Sequence, residues 1–93
     1  MDTEEIYMLD KIKLSMRISH NKLDTDIQRN IDACMLDLER VGVCISKPSE
    51  LLTKAAELYC KAEYDYLGKG DKFRANYNNL RDSMSMSGDY KDV

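Results

Sequence analysis

The stretch that most constrains the fold is LLTKAAELYCKAEYDYL, at residues 51–67. At the 100° per residue of an α-helix, one side of it collects Leu51, Leu52, Ala55, Leu58, Tyr59, Ala62 and Tyr66. Ala56, Cys60 and Leu67 widen this side past the roughly 100° apolar arc of an ordinary surface helix. We therefore predict one helix that contacts two surfaces, its own core and a partner.

Helical periodicity also predicts three further helices. The first is capped by Asp2 or Thr3, and the second by Asp24 or Thr25, with Gly42 just beyond its end. The predicted core positions of the first are Ile6, Leu9, Ile12 and Met16, and those of the second are Ile27, Ile31, Cys34, Leu38 and Val41. Together these stripes give each helix one apolar face to bury.

Turn signals divide the second half of the chain. Pro48 marks the start of the broad helix, with Ser46 or Ser49 as its cap, and Gly68-Lys69-Gly70 ends it. A fourth, shorter helix follows, capped by Asp71, and its core positions are Phe73, Tyr77, Leu80 and Met84. The 93 residues are enough for one domain. We predict an all-α, small four-helix bundle-like domain over residues 1–84.

The end of the chain has a different pattern. Met84-Ser85-Met86-Ser87 alternates with a period of two, which predicts an extended segment. An extended segment without a partner in its own chain tends to pair with another chain. Residues 85–93 are therefore predicted to form an extended or disordered docking tail. Its candidate contact residues are Met84, Met86, Asp89 and Tyr90.

Surplus apolar residues identify a candidate subunit interface. Leu36 lies on the polar side of the second helix, nearly opposite Cys34. Ala56, Cys60 and Leu67 extend the apolar side of the third helix. We predict that these four residues, Leu36, Ala56, Cys60 and Leu67, contact another subunit.

No pattern of catalytic or metal-binding residues is present. His20, the one histidine, sits in a polar turn without a nucleophile motif, so a solvated loop residue is the better interpretation. Cys34, Cys44 and Cys60 lack metal-ligand spacing and fit core packing. Gly68-Lys69-Gly70 is too short for a phosphate loop. We predict neither enzyme activity nor a cofactor.

Charge and hydropathy exclude two further classes. The net charge is −3, and no basic stripe suited to nucleic acid is visible. No apolar run exceeds four residues, so no membrane span is predicted. Asp37 and Arg40 form an ordinary surface pair, and the face of the fourth helix with Arg74 and Arg81 is predicted to be solvated. The tyrosines fit core or interface positions.

Several segments, in order, resemble the small head–tail connector proteins of tailed bacteriophages, also called head-completion or DNA-packaging adaptor proteins. They are LDKIKLSMRI at residues 9–18, DTDI at 24–27, IDA at 31–33, the broad third helix, YNNLR at 77–81 and SMSMSGDY at 83–90. The resemblance covers residues 9–90.

The resemblance implies a non-catalytic all-α subunit that forms a homo-oligomeric ring under the portal vertex. Its partners would be the portal protein and a tail or stopper protein, and DNA would pass through the ring without sequence-specific binding. The protein would be found in the virion, and in the host cytoplasm during assembly. The alternatives are a small helical regulatory or DNA-binding module of a prophage, and a small enzyme or metal-binding bundle.

Overall fold

Four helices make up the part of the chain that the computed structural model describes, residues 3–46 and 49–86, with side chains from residue 8 onward. They are α1 (Thr3–Ser15), α2 (Asp24–Arg40), α3 (Glu50–Glu63) and α4 (Gly70–Met86), with a 3-10 turn at Tyr66–Gly68. The described residues contain no β-strand. The predicted all-α class is confirmed. No described helix is long and apolar enough to cross a bilayer.

The helix α3 lies at the centre of the fold and contacts α1, α2 and α4. Ser49 caps it, because its hydroxyl accepts the Leu52 N–H at 3.1 Å. Leu52, Ala55, Ala56, Leu58 and Cys60 are all buried. The broad apolar side is therefore covered by three helices of the same chain.

The described apolar stripes of α1 and α2 lie in the core as predicted. The buried members are Leu9, Ile12, Met16, Ile27, Ile31, Cys34 and Leu38, and Val41 packs against them half-buried. Gly42 follows α2 with φ of +89°, a conformation that favours glycine. The side chain of Ile6 lies outside the described residues.

The predicted cap of α2 is wrong. Leu23 occupies the cap position and makes no side-chain hydrogen bond there. The carboxylate of Asp24 instead pairs with Lys13 Nζ at 2.7 Å, an ion pair between the start of α2 and the last turn of α1.

The end of α3 also differs from the prediction, because the helix stops at Glu63 and does not reach Leu67. Asp65, Leu67 and Gly68 all have positive φ, which breaks the helix. The Asp65 carboxylate then accepts the Gly70 N–H at 2.7 Å, so Asp65 caps α4 in place of the predicted Asp71. A Cβ at residue 70 would lie 3.1 Å from the Ala62 carbonyl oxygen, which explains the glycine.

The helix α4 is longer than predicted, with 17 residues that continue through Met86. Tyr77 and Met84 are buried, and Phe73 and Leu80 pack beside them half-buried. The extended conformation predicted for Met84-Ser85-Met86 is therefore wrong. Residues two apart on a helix are about 200° apart, so Met84 in the core and Met86 in solvent also fit a helix. Residues 87–93 of the predicted tail lie outside the described residues.

Candidate functional site

The structure divides the predicted interface residues into two pairs. Leu36 and Leu67 have 66% and 72% of their surface exposed, so both are accessible to a partner. Ala56 and Cys60 are fully buried in the core of their own subunit. The prediction is wrong for this second pair, because α3 is covered by neighbouring helices of the same chain.

The predicted docking residues of the tail are divided in a similar way. Met84 belongs to the core and cannot dock while the fold is intact. Met86 is 80% exposed at the end of α4. Asp89 and Tyr90 lie outside the described residues.

A polar groove, which sequence patterns did not predict, lies where α2, α3 and α4 meet. We call it the arginine groove. Its polar and aromatic lining comprises Asp37, Arg40, Tyr59, Arg74, Tyr77, Asn78 and Arg81, and Leu36 and Ala33 also line it. It is open to solvent, with a volume of about 500 Å³.

Asp37 organises the groove by joining α2 to α4. One carboxylate oxygen accepts a hydrogen bond from the Tyr77 hydroxyl at 2.7 Å and another from Arg81 Nη1 at 3.2 Å. The other oxygen accepts Arg40 Nη2 at 2.7 Å. Burial opposes ionisation of Asp37, but the hydrogen bonds from Arg40, Tyr77 and Arg81 outweigh it and lower the pKa to about 2. Asp37 is therefore a fixed anion at neutral pH.

Tyr77 forms the floor of the groove. Its ring is buried and meets the Tyr59 ring edge to face, with centroids 5.2 Å apart at 80°. Its hydroxyl lies 3.8 Å from Cys34 Sγ. Burial and then the hydrogen bond to Asp37 raise the pKa of Tyr77 well above its usual value. The phenol is therefore protonated at neutral pH and donates to Asp37.

The arginines of the groove lie over aromatic rings. The Arg74 guanidinium carbon is 4.8 Å from the Tyr59 centroid and 5.9 Å from that of Tyr77. Arg81 lies 5.8 Å from the Tyr77 centroid. Arg74 also donates to Glu63, and Arg81 to Asp82 at 3.2 Å. Each arginine of the groove is therefore held by a carboxylate, and Arg74 and Arg81 also lie over aromatic rings.

The residue types that line the groove are those typical of protein recognition. Burial raises the pKa of Cys34 and of Cys60 to about 12, so both thiols are protonated and unreactive at neutral pH. Among the described side chains, no group of three His, Cys, Asp or Glu residues could hold a metal ion. Arginine and tyrosine are the residue types enriched where protein interfaces bind most strongly.

The low pKa of Asp37 predicts a loss of stability in acid. Its folded-state pKa of about 2 lies below the ordinary value of 3.8, so its contribution is complete above about pH 4 and is lost as the pH falls towards 2. We expect Asp37→Asn to cost roughly 1–2 kcal/mol at pH 6 and much less near pH 2.5. Urea unfolding at both pH values measures this. The exposed Asp10→Asn is the control, and an equal cost of Asp37→Asn at both pH values would contradict the assignment.

Comparison with known proteins adds one match. A family model described as "Phage connector protein" matches residues 8–91, which is nearly the whole chain. No curated protein matches significantly, and no solved structure does.

Proposed function

The chain belongs to the phage connector protein family, and on that premise we propose that it forms a ring at the portal vertex, joins head to tail there and extends the DNA channel. Membership makes the protein a structural component of the virion. The ring, its portal partner and the passage of DNA are the proposal. The subunit would be made in the host cytoplasm and would act without a catalytic step.

The main structural support for assembly is the backbone conformation and exposure of Leu67. Its backbone has φ of +56°, a conformation that costs a residue with a Cβ about 1 kcal/mol or more. Its side chain is mostly exposed, so contacts within the subunit offset little of this conformational cost. A strained residue that presents a large apolar side chain to solvent is explained if another subunit covers it. Leu36, on a different helix, supplies a second exposed apolar contact.

The C-terminal residues support the proposed portal contact, and the net charge supports the proposed passage of DNA. Met86 is exposed where α4 ends, and the following residues include Asp89 and Tyr90. We assign Met86, Asp89 and Tyr90 to portal docking and withdraw Met84 from that role. A tail or stopper protein would bind the other side of the ring. The net charge of −3 suits a channel through which DNA slides, because a basic lumen would bind phosphates.

A regulatory or DNA-binding module is the alternative function, and the three arginines of the groove are a cluster of basic residues that could serve it. Arg40 and Arg81 both bond to Asp37, and Arg74 bonds to Glu63. Each guanidinium is thus already paired with a carboxylate. DNA affinity that falls steeply with salt would support this alternative.

Electron microscopy of the protein mixed with its own portal tests the proposal. We expect a ring of additional density on the portal, and sedimentation of the mixture should show a complex larger than the portal alone. A variant that ends at Met86 should keep its helical circular dichroism and lose portal docking. A protein that stays monomeric and never binds the portal would contradict the proposal.

Leu67→Gly is predicted to affect stability and assembly in opposite directions. Glycine tolerates the positive φ, so we expect the free energy of unfolding of the monomer to rise by about 1 kcal/mol or slightly less. Removal of the apolar side chain should weaken assembly on the portal. Urea unfolding and sedimentation measure the two effects. If stability rises and assembly is unchanged, Leu67 is not part of the interface.

A further inference from the structure

The most exposed large apolar side chain among the described residues is Leu14, with 81% of its surface in solvent. It lies on the outer side of α1, one residue before the end of that helix. Leu36, which is 66% exposed, lies on the outer side of α2. Each of these two helices therefore presents one leucine that its own subunit does not cover.

Charges of opposite sign flank Leu14. Asp10 lies one helical turn before it on the same side of α1. Arg17 lies just beyond the helix, where its backbone N–H donates to the Leu14 carbonyl oxygen at 3.1 Å. Both side chains are exposed, and neither forms an ion pair within the part of the chain that the structure describes. We call Asp10, Leu14 and Arg17 the α1 face.

The backbone conformation of Arg17 is unusual for an arginine, because its φ is +59°. Its N–H bonds to Leu14, and the Ile18 N–H bonds to the Lys13 carbonyl oxygen at 2.9 Å, a pattern that ends many helices at a glycine. Glycine would adopt this conformation without strain. An exposed arginine at this position is explained if its guanidinium meets a carboxylate of another molecule.

The corresponding surface of α2 is acidic at one end. Asp32 lies one turn before Leu36 on the same side of the helix, is exposed, and has no cationic partner among the described residues. Beyond Leu36, the exposed Glu39 lies next to Arg40, which is bonded to Asp37. That end therefore has mixed charge. We call Asp32, Leu36, Glu39 and Arg40 the α2 face.

The two faces lie on different sides of one subunit. Leu36 and Arg40 line the arginine groove together with residues of α3 and α4, and no described residue of α1 lines it. The helix α1 packs instead against α2 and α3. A contact between the α1 face of one copy and the α2 face of the next would therefore join two different surfaces. Contacts of this type generate rings when the rotation closes.

The charges select an antiparallel arrangement of the two helices. With Leu14 against Leu36, an antiparallel arrangement brings Arg17 to Asp32 and places Asp10 at the mixed-charge end of the α2 face. A parallel arrangement would bring Asp10 to Asp32, and like charges in contact are unfavourable. The apolar centre and the ion pair are thus satisfied together in one orientation.

We propose that the α1 face packs antiparallel on the α2 face of the next copy, with Leu14 against Leu36 and Arg17 paired with Asp32. This inference rests on the proposed ring and adds which surfaces form the contact between subunits. The charges would also allow each face to meet its own copy in an antiparallel pair. Such a symmetric contact joins two subunits and builds no ring.

A charge swap tests the ion pair. Arg17→Glu and Asp32→Lys should each weaken subunit association on the portal roughly fivefold or more, because each brings like charges together. The double variant, Arg17→Glu with Asp32→Lys, has the net charge of the wild type and should recover association. Lys72→Glu is the control, because it reverses an exposed charge on α4 outside both faces, and it should associate as the wild type does. Sedimentation with portal measures association, and thermal unfolding shows that each variant folds.

Leu14→Ala tests the apolar centre. It should weaken association and leave the melting temperature unchanged, because the side chain is exposed in the subunit. If either single reversal assembles like the wild type, if Lys72→Glu weakens assembly equally, or if the double variant stays weak, Arg17 and Asp32 do not meet. If Asp10→Lys instead rescues Arg17→Glu, two α1 faces meet and the proposed contact is wrong. In each of these cases a wild-type ring on the portal leaves the proposed function intact, whereas its absence removes the function itself.

Discussion

Tyr77→Ala should remove about 3–5 kcal/mol from the free energy of unfolding, the largest effect expected of any single substitution in this chain. Tyr77 is among the largest fully buried side chains, and it joins α4 to the rest of the core. The substitution removes the edge-to-face contact with Tyr59 and leaves a cavity. It also takes the hydroxyl donor away from Asp37. A domain of this size has a total stability of roughly 5–14 kcal/mol, so much of the population would unfold on mild heating.

Tyr77→Phe is the matched control, because it keeps the ring and removes the hydroxyl alone. We expect it to cost about 1–2 kcal/mol, since Asp37 retains its bonds to Arg40 and Arg81. The chain has no tryptophan, so far-ultraviolet circular dichroism in urea is the suitable measurement. Equal losses in the Ala and Phe variants would mean that the ring packs less tightly than the structure indicates.

Helix periodicity predicted the core because burial of one face follows directly from residue spacing. Ile27, Ile31, Cys34 and Leu38 recur at steps of four, three and four, and all four are buried. Ser49 was one of two cap candidates, and the structure selects it. Signals of this kind are local, so they do not depend on how the helices pack. The resemblance to phage connectors is confirmed by the family match.

Periodicity could not show what would cover the broad side of α3. A wide apolar arc fits a helix with three neighbours in its own chain as well as one with an outside partner. Ala56 and Cys60 belong to the first case. The extended conformation predicted for Met84-Ser85-Met86 was wrong for a related reason. An alternation over three residues fits a strand, with both methionines on one face, as well as a helix, with the two on nearly opposite faces.

The end of α3 and the arginine groove depend on contacts that the sequence does not show. Leucine at a positive φ is rare, so nothing at Leu67 indicated a break. Asp37 and Arg81 are 44 residues apart, and each lies in a local pattern typical of a solvated face. A weak signal did exist, because Arg74, Tyr77 and Arg81 follow one another at helical spacing. Tyr77 and Arg81 share the partner Asp37, and Arg74 bonds to Glu63, and neither pairing follows from spacing within α4.

Leu38→Ala should cost roughly 2–5 kcal/mol of stability, because Leu38 is fully buried at the end of the α2 stripe and the substitution leaves a cavity. Leu36→Ala is the matched control, since Leu36 is the same residue type on the same helix but is 66% exposed. We expect Leu36→Ala to change the free energy of unfolding by no more than about 0.5 kcal/mol.

When association with the portal is measured instead of stability, Leu36→Ala should have the larger direct effect and Leu38→Ala the smaller one. Leu36 is an exposed apolar residue of the proposed subunit interface, so Leu36→Ala should weaken assembly on the portal while the subunit stays folded. Leu38 faces the core, so Leu38→Ala should affect assembly only through the fraction of unfolded subunits. Urea unfolding of both variants, followed by sedimentation with portal at a temperature at which both are folded, separates the two effects. Unchanged unfolding of Leu38→Ala would mean that this face of α2 is not the core face, and unchanged assembly of Leu36→Ala would remove the apolar contact from the proposed interface.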